Sequence, residues 1–208
     1  VVGILPTGGG KSVCFQVPAL MMDGICLVIT PLIALMQDQV KQLKALGIPA
    51  VAIHSGMHHR EIDIMLDNCI YGNHKFLYLS PERLQTELFK ERVKKMNVCL
   101  IAIDEAHCIS QWGYDFRPPY LEIAEIRELI PQTPVLALTA TATREVVNDI
   151  QDRLKFKQKN VFQKSFARDN LAYVVRHEEG KLEKLLDILQ KVKGSGVVYV
   201  RNRRRTKE

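Results

Sequence analysis

Val98-Cys-Leu-Ile-Ala-Ile-Asp-Glu-Ala-His107 is the stretch that decides the fold. Its first six residues are mostly apolar and predict a buried strand, and two adjacent carboxylates, Asp104 and Glu105, follow directly. In open α/β sheets, ligands bind at the carboxyl ends of the strands. The segment from Trp112 to Tyr120 then holds four of the fourteen aromatic residues of the chain, a composition that suits stacking on a flat ligand.

A second motif lies near the start of the chain. Val1–Leu5 predicts the end of a strand, Pro6-Thr-Gly-Gly-Gly-Lys-Ser12 follows, and residues 13–22 predict a helix. Glycines allow successive backbone amides to face a phosphate, and the helix N-terminus adds positive dipole. Lys11 would reach the β- and γ-phosphates and Ser12 would hold Mg²⁺. The longer G-x4-G-K-[ST] pattern is not met because Leu5 occupies its first glycine position, and a glycine-rich turn that only starts a helix is the alternative.

Apolar strands alternate with amphipathic helices through the first 155 residues. Further strands are predicted at 24–29, 50–53, 75–79 and 134–138, and helices at 31–46, 58–71, 81–96, 119–129 and 144–154. The helix at 81–96 is predicted to be capped by Ser80, and the last helix by Thr143. The motifs all follow strands, so the sequence predicts an α/β fold with a doubly wound, mainly parallel sheet and one ligand edge.

Residues 156–170 change in character, being rich in lysine and poor in apolar side chains. We interpret them as a linker between domain 1–155 and a second unit, 171–208. In that unit, residues 172–175 predict a strand, leucines from 182 to 189 an amphipathic helix, and residues 196–200 a buried strand. The second unit therefore looks like the beginning of another α/β domain.

The bulk properties exclude several classes of protein. Of the net charge of +6, the last eight residues carry +4, so charge alone does not argue for DNA binding. Five cysteines without a C-x-x-C pair indicate a reducing compartment and no zinc site. No apolar run is long enough to span a membrane, so we expect no membrane partner. His54, His58 and His59 could form a metal site, but a solvated turn is the favoured interpretation. We expect an intracellular protein, cytoplasmic or nucleoid-associated, or nuclear in a eukaryote.

Together, a phosphate loop and a carboxylate pair at a strand end form the minimal apparatus of a nucleoside triphosphate hydrolase. Asp104 would orient the Mg²⁺ that Ser12 also contacts, and Glu105 would polarise the attacking water. Lys11 and Mg²⁺ would neutralise charge that develops on the phosphate oxygens. The sequence thus predicts catalytic roles for Lys11, Asp104 and Glu105, with ATP and Mg²⁺ as cofactors.

Six segments extend these motifs: T-G-G-G-K-S-V-C-F-Q (7–16), T-P-L-I-A-L-M-Q-D-Q-V (30–40), Y-L-S-P-E-R-L (78–84), D-E-A-H-C-I-S-Q-W-G (104–113), L-T-A-T-A-T (138–143) and G-V-V-Y (196–199). Together they resemble the RecQ family of DNA helicases, in superfamily 2. The resemblance implies an ATP-driven enzyme that unwinds DNA in the 3′-to-5′ direction. It also implies two RecA-like lobes, of which this chain holds the first and the start of the second.

The resemblance also implies roles for individual residues. The ATP phosphates would be bound by Thr7, Gly8, Gly9, Gly10, Lys11 and Ser12. The DNA backbone would be contacted by Thr30, Pro31, Ser80 and Pro81. Nucleotide state would be coupled to lobe motion by His107, Thr139 and Thr141. Single-stranded DNA would be sensed by the loop that contains Gln111, Trp112, Phe116 and Arg117, since ring stacking contributes about 1–3 kcal/mol per base without reading sequence. For Trp112, packing in the core is the alternative.

The chain departs from the family pattern at several positions. Tyr114 replaces a histidine and Pro119 an acidic residue, which puts the coupling function of the loop in doubt. Residues 199–203 match the fourth helicase motif only in part, and the arginines at 201–205 could equally be a solvated helix face. The motif with the arginine finger would lie beyond Glu208, so we expect residues 1–208 alone to hydrolyse ATP negligibly and not to unwind DNA. The other candidates are a DEAD/DEAH-type RNA helicase and a nucleotide- or DNA-binding module without turnover.

Overall fold

The computed structural model describes residues 1–113, 115–165, 170–200 and 202. The chain forms two compact units, Val1–Phe166 and Ala167–Glu208. Tyr114 and the arginines at 201 and 203–205 lie outside the described residues, so the predictions made for them stay predictions.

The first unit is built on a parallel sheet of seven strands. The strands are β1 Val2–Ile4, β2 Ile25–Ile29, β3 Ala50–Ile53, β4 Phe76–Leu79, β5 Val98–Ile103, β6 Val135–Thr139 and β7 Val161–Gln163. Their order is β3-β4-β2-β5-β6-β1-β7, and every pairing among them is parallel. The predicted α/β fold with a doubly wound sheet is confirmed.

Helices cover both faces of this sheet. The helices are α1 Lys11–Met21, α2 Ile33–Ala45, α3 His59–Tyr71, α4 Glu87–Val93, α5 Ile123–Leu129 and α6 Arg144–Arg153. Alternate residues of the strands contribute to two separate cores. One core packs against α1 and α2, and the other against α3 to α6. Strands β1 to β5 are continuous apolar runs because they are buried on both faces, whereas the edge strand β7 is exposed.

Two predicted helices are interrupted. The helix predicted at 81–96 is a 3-10 helix, Pro81–Gln85, followed by α4, because Thr86 is extended and its hydroxyl donates to the carbonyl of Arg83 at 2.8 Å. Such a side-chain bond competes with helical hydrogen bonding. Ser80 makes no capping bond, so that prediction was wrong. The helix predicted at 119–129 begins as a 3-10 helix, Pro118–Glu122, before α5. The predicted cap of α6 is confirmed, since Thr143 accepts from the amide of Val146.

The end of the chain differs most from the predictions. Strand β7 pairs with β1 and lies inside the stretch 156–170 that we interpreted as a linker. In the second unit the predicted helix is present as α7, Lys181–Lys191. The strands predicted at 172–175 and 196–200 are not formed, and Val175 is 96% exposed. A strand requires a hydrogen-bonding neighbour, and the described part of this unit contains no other strand.

The cysteines behave as small apolar residues. Cys26, Cys69, Cys99 and Cys108 are buried and free, and Cys14 is half-buried. Among the helices of the described ranges, none is long and apolar enough to cross a membrane.

Candidate active site

The parallel sheet brings the predicted motifs to one edge. The phosphate loop follows β1, and Asp104 follows β5. Strand β6 lies between β1 and β5 and ends at Thr139, which is in register with Ile4. The phosphate loop and the carboxylate pair therefore flank the end of one strand, at the position where α/β sheets bind ligands.

The phosphate loop has a backbone that only glycine adopts easily. Gly8 and Gly10 have φ angles of 75° and 79°, in the left-handed region. A Cβ atom on Gly9 would lie 2.7 Å from the carbonyl oxygen of Pro6, too close for any side chain. The three glycines thus hold an exposed turn directly before α1. Helix α1 has neither a side-chain N-cap nor an acidic residue in its first turn. These features fit an anion at the helix N-terminus.

Lys11 and Ser12 form the first turn of α1 and are half-buried. Burial raises the pKa of Asp104, and the positive charge of Lys11 partly opposes that rise, so the ammonium group acts electrostatically on the carboxylate across the strand end. Among the described residues, no three His, Cys, Asp or Glu side chains converge as a protein-only metal site. A hydroxyl and one carboxylate nevertheless fit Mg²⁺, which takes few protein ligands and completes its coordination with phosphate oxygens and water.

The carboxylate pair is held in an unusual conformation. The Asp104 Oδ1 atom accepts from the amide of Glu105 at 3.0 Å. Burial, and next the charge of Glu105, raise the pKa of Asp104. Glu105 has φ 48° and ψ 45°, a left-handed conformation that is strained for a residue with a side chain. Backbone strain of this kind is concentrated at functional sites.

His107 connects the carboxylates to the end of β6. Its Nδ1 atom lies 2.9 Å from the hydroxyl of Thr139 and 3.3 Å from Oε2 of Glu105. The Thr139 hydroxyl donates to the carbonyl of Thr141 and accepts from its amide. Since that hydroxyl proton is already engaged, Nδ1 of His107 is the donor. Burial lowers the pKa of His107, which favours the neutral ring. The predicted coupling residues His107, Thr139 and Thr141 are thus brought into one hydrogen-bonded chain.

The aromatic loop spans residues 110–117, of which 110–113 and 115–117 are described, and Arg117 joins it to the segment after β2. Trp112 is 77% exposed, so the alternative in which it packs in the core is wrong. Gln111 is also exposed, and Phe116 is half-buried. The guanidinium of Arg117 donates to Asp115 at 2.8 and 3.0 Å and to the carbonyl of Pro31 at 3.4 Å. The loop therefore presents an indole to solvent and is joined to the segment that we predicted to contact DNA.

The hydroxyl side chains of that predicted DNA contact are not on the surface. Thr30 and Ser80 directly follow the adjacent strands β2 and β4 and are 1% and 2% exposed. Neither hydroxyl oxygen has a hydrogen-bond partner in the described structure. Their backbone amides are bonded within the sheet, to Leu79 and Ile53. Pro31 is half-buried and Pro81 is buried. Any contact of Thr30 or Ser80 with a phosphate would therefore require the end of β2 or β4 to open.

Sequence reasoning missed two residues of the site. Asp115 holds Arg117, and the hydrogen bond from Arg117 lowers the pKa of Asp115. Tyr120 was grouped with the stacking aromatics, but it is 0% exposed and its hydroxyl donates to the backbone carbonyl of Asp104 at 3.0 Å. The Pro118-Pro119 pair marks the start of the 3-10 helix that carries Tyr120, but no local signal in the sequence gives the direction of the Tyr120 side chain.

Solved structures support the fold. The helicase domain of Hef from Pyrococcus furiosus matches 81% of this chain and 35% of its own, with a TM-score of 0.63 and 21% identity. The DUF1998 helicase MrfA matches 99% of this chain and 34% of its own, with a TM-score of 0.72 and 17% identity. At such low identity the likeness concerns the fold alone.

Sequence comparison identifies closer relatives. The chain is 41% identical to the probable ATP-dependent DNA helicase RecS of Bacillus subtilis, over 100% of this chain and 42% of the relative. It is 44% identical to the ATP-dependent DNA helicase RecQ of the same organism, over 97% of this chain and 34% of the relative. The chain thus spans between about a third and two fifths of the length of these relatives. The family model for DEAD/DEAH box helicases matches residues 1–150. The chain therefore belongs to the DEAD/DEAH box helicase family.

Proposed function

We propose that this chain is the nucleotide-binding part of an ATP-dependent DNA helicase of the RecQ type. ATP hydrolysis would drive 3′-to-5′ movement on single-stranded DNA and unwinding of the duplex. The observation that carries the proposal is the joint position of the phosphate loop, the carboxylate pair and the aromatic loop at one sheet edge. Relatives that are named RecQ and RecS DNA helicases support the choice of DNA.

The nucleotide would be bound by Thr7 to Ser12, with its phosphates at the uncapped N-terminus of α1. Ser12 and Asp104 would hold Mg²⁺, which supplies charge neutralisation at the phosphate oxygens. Lys11 would place a second positive charge there. Glu105 would orient the attacking water and accept its proton.

The hydrogen-bonded chain from Glu105 through His107 to Thr139 would couple the state of the bound nucleotide to the position of the segment Thr139–Thr141. Trp112 would stack on a base of the DNA. Arg117 donates to the carbonyl of Pro31 and would therefore lie close to the bound DNA. Thr30 and Ser80 remain proposed backbone contacts. The proposed domains are a first RecA-like lobe, residues 1–155, a linker at 156–170 that also adds strand β7 to the sheet of that lobe, and the beginning of a second lobe at 171–208.

The test is ATP hydrolysis by the full-length protein with no nucleic acid, with single-stranded DNA and with single-stranded RNA. We expect stimulation by DNA in a reaction that requires Mg²⁺. The variant Lys11→Ala should lose this activity while keeping its fold. A matched control is Lys94→Ala, because that exposed lysine pairs with Glu91 on α4, far in sequence from the phosphate loop. Activity retained by Lys11→Ala would refute the phosphate-loop assignment, and preferential stimulation by RNA would favour an RNA helicase.

A further inference from the structure

Tyr120 is buried although it follows an exposed loop. Its side chain is 0% exposed and belongs to the core between the sheet and helices α3 to α6. Its hydroxyl donates to the carbonyl oxygen of Asp104 at 3.0 Å, across sixteen residues of sequence. Burial raises the pKa of Tyr120 well above its usual value, so the hydroxyl keeps its proton and stays a donor.

This hydrogen bond acts on the peptide group that joins the two carboxylate residues. The carbonyl of that group, from Asp104, accepts from Tyr120, and its N–H, from Glu105, donates to the Asp104 side chain at 3.0 Å. Both ends of one peptide are therefore held. Rotation of this peptide would change the φ angle of Glu105, which is 48° and strained. The Tyr120 hydroxyl thus helps to keep Glu105 in its left-handed conformation.

Tyr120 is also connected to the aromatic loop. Its amide donates to the carbonyl of Arg117 at 2.9 Å, and the amide of Arg117 donates to the carbonyl of Cys108 at 2.8 Å. The Arg117 guanidinium contacts Asp115 and the carbonyl of Pro31. Arg117 and Tyr120 are three residues apart and are joined by a 3-10 helix that is anchored in the core. A displacement of Arg117 would therefore also move Tyr120.

We propose that Tyr120 is a positioning residue that transmits the position of the aromatic loop to the Asp104–Glu105 peptide, and so to the carboxylate that orients the attacking water. The inference rests on the proposed function and deepens it, because it assigns the mechanical link between DNA contact and hydrolysis. The ring of Tyr120 supplies core packing, whereas its hydroxyl supplies the link. Removal of the hydroxyl alone separates these two roles.

The test is the variant Tyr120→Phe in the full-length protein. We expect DNA-stimulated kcat to fall about fivefold, the size expected for the loss of one neutral hydrogen bond. The KM for ATP and the Kd for single-stranded DNA should stay within about twofold of wild type, because the nucleotide- and DNA-contacting groups are untouched. A role in core packing alone would lower the unfolding temperature and leave the ratio of the stimulated to the unstimulated rate unchanged, whereas the proposed link requires that ratio to fall.

The matched control is Tyr78→Phe. Tyr78 is also 0% exposed, and its hydroxyl donates to Gln39 at 2.9 Å, but it lies in the other core, against α1 and α2. Both variants should unfold at similar temperatures in a thermal scan, and only Tyr120→Phe should lose stimulation. Equal stimulation in both variants would overturn the role of Tyr120. Absence of DNA stimulation in the wild-type protein would instead overturn the proposed function, and the link with it.

Discussion

Substitutions of two glycines with similar backbone angles can separate the effect of backbone strain on stability from its effect on nucleotide binding. Gly10, at the N-terminus of α1, has φ 79°, and Gly47, just after α2, has φ 75°. A Cβ atom added to either glycine would meet nothing within 4 Å. The substitutions Gly10→Ala and Gly47→Ala therefore introduce the same backbone strain without any steric clash, at two places with different expected roles.

The size of that strain follows from the left-handed conformation. An alanine held at such angles costs about 1–2 kcal/mol, which is about a five- to thirtyfold change in an equilibrium constant. For Gly47→Ala, the whole cost should appear as a lower free energy of unfolding. For Gly10→Ala, two outcomes are possible because the loop is exposed. If the loop keeps its conformation in the free protein, the strain lowers the free energy of unfolding. If the loop relaxes in the free protein, the strain returns when nucleotide binds and weakens the affinity by the same factor.

The two measurements are urea unfolding, followed by circular dichroism, and titration with a fluorescent ATP analogue. For Gly10→Ala we expect the losses in unfolding free energy and in binding free energy to add up to about 1–2 kcal/mol. Gly47→Ala should show the unfolding loss and unchanged affinity. The reasoning would be refuted if Gly10→Ala changed neither quantity, or if Gly47→Ala weakened nucleotide binding as much as Gly10→Ala.

Three further outcomes are expected. Glu105→Gln should retain nucleotide affinity and lose at least about tenfold in DNA-stimulated kcat, because general-base catalysis typically contributes about 10²–10⁴-fold; an unchanged rate would contradict its role. A thiol reagent should modify Cys14 rapidly and the other four cysteines slowly, because those four are buried. Burial also raises the pKa of Cys69 and Cys108 to about 12. Mass spectrometry would locate the label. Thr143→Ala should lower the unfolding free energy by about 1 kcal/mol, measured in urea, because α6 loses its only side-chain cap; Thr143→Ser, which keeps the acceptor oxygen, should not.

The sequence by itself determined the α/β fold and the edge at which the site lies. Continuous apolar strands, helical periodicity and glycine-rich turns are local signals, and they were sufficient to place the phosphate loop after β1 and the carboxylates after β5. The cap at Thr143 was predictable for the same reason, because its partner is three residues away. Local signals were insufficient where a break depended on one side chain, as at Thr86.

Only the tertiary structure decided what surrounds these motifs. The order of the strands placed β6 between the phosphate loop and the carboxylates, and it buried the hydroxyls of Thr30 and Ser80. The packing of residues that are far apart in sequence leaves Trp112 exposed and directs the Tyr120 hydroxyl to the Asp104 carbonyl. The strands predicted at 172–175 and 196–200 have the right composition, but composition cannot supply a neighbouring strand. Burial and pairing depend on residues far apart in the chain, which is why the sequence pattern could not predict them.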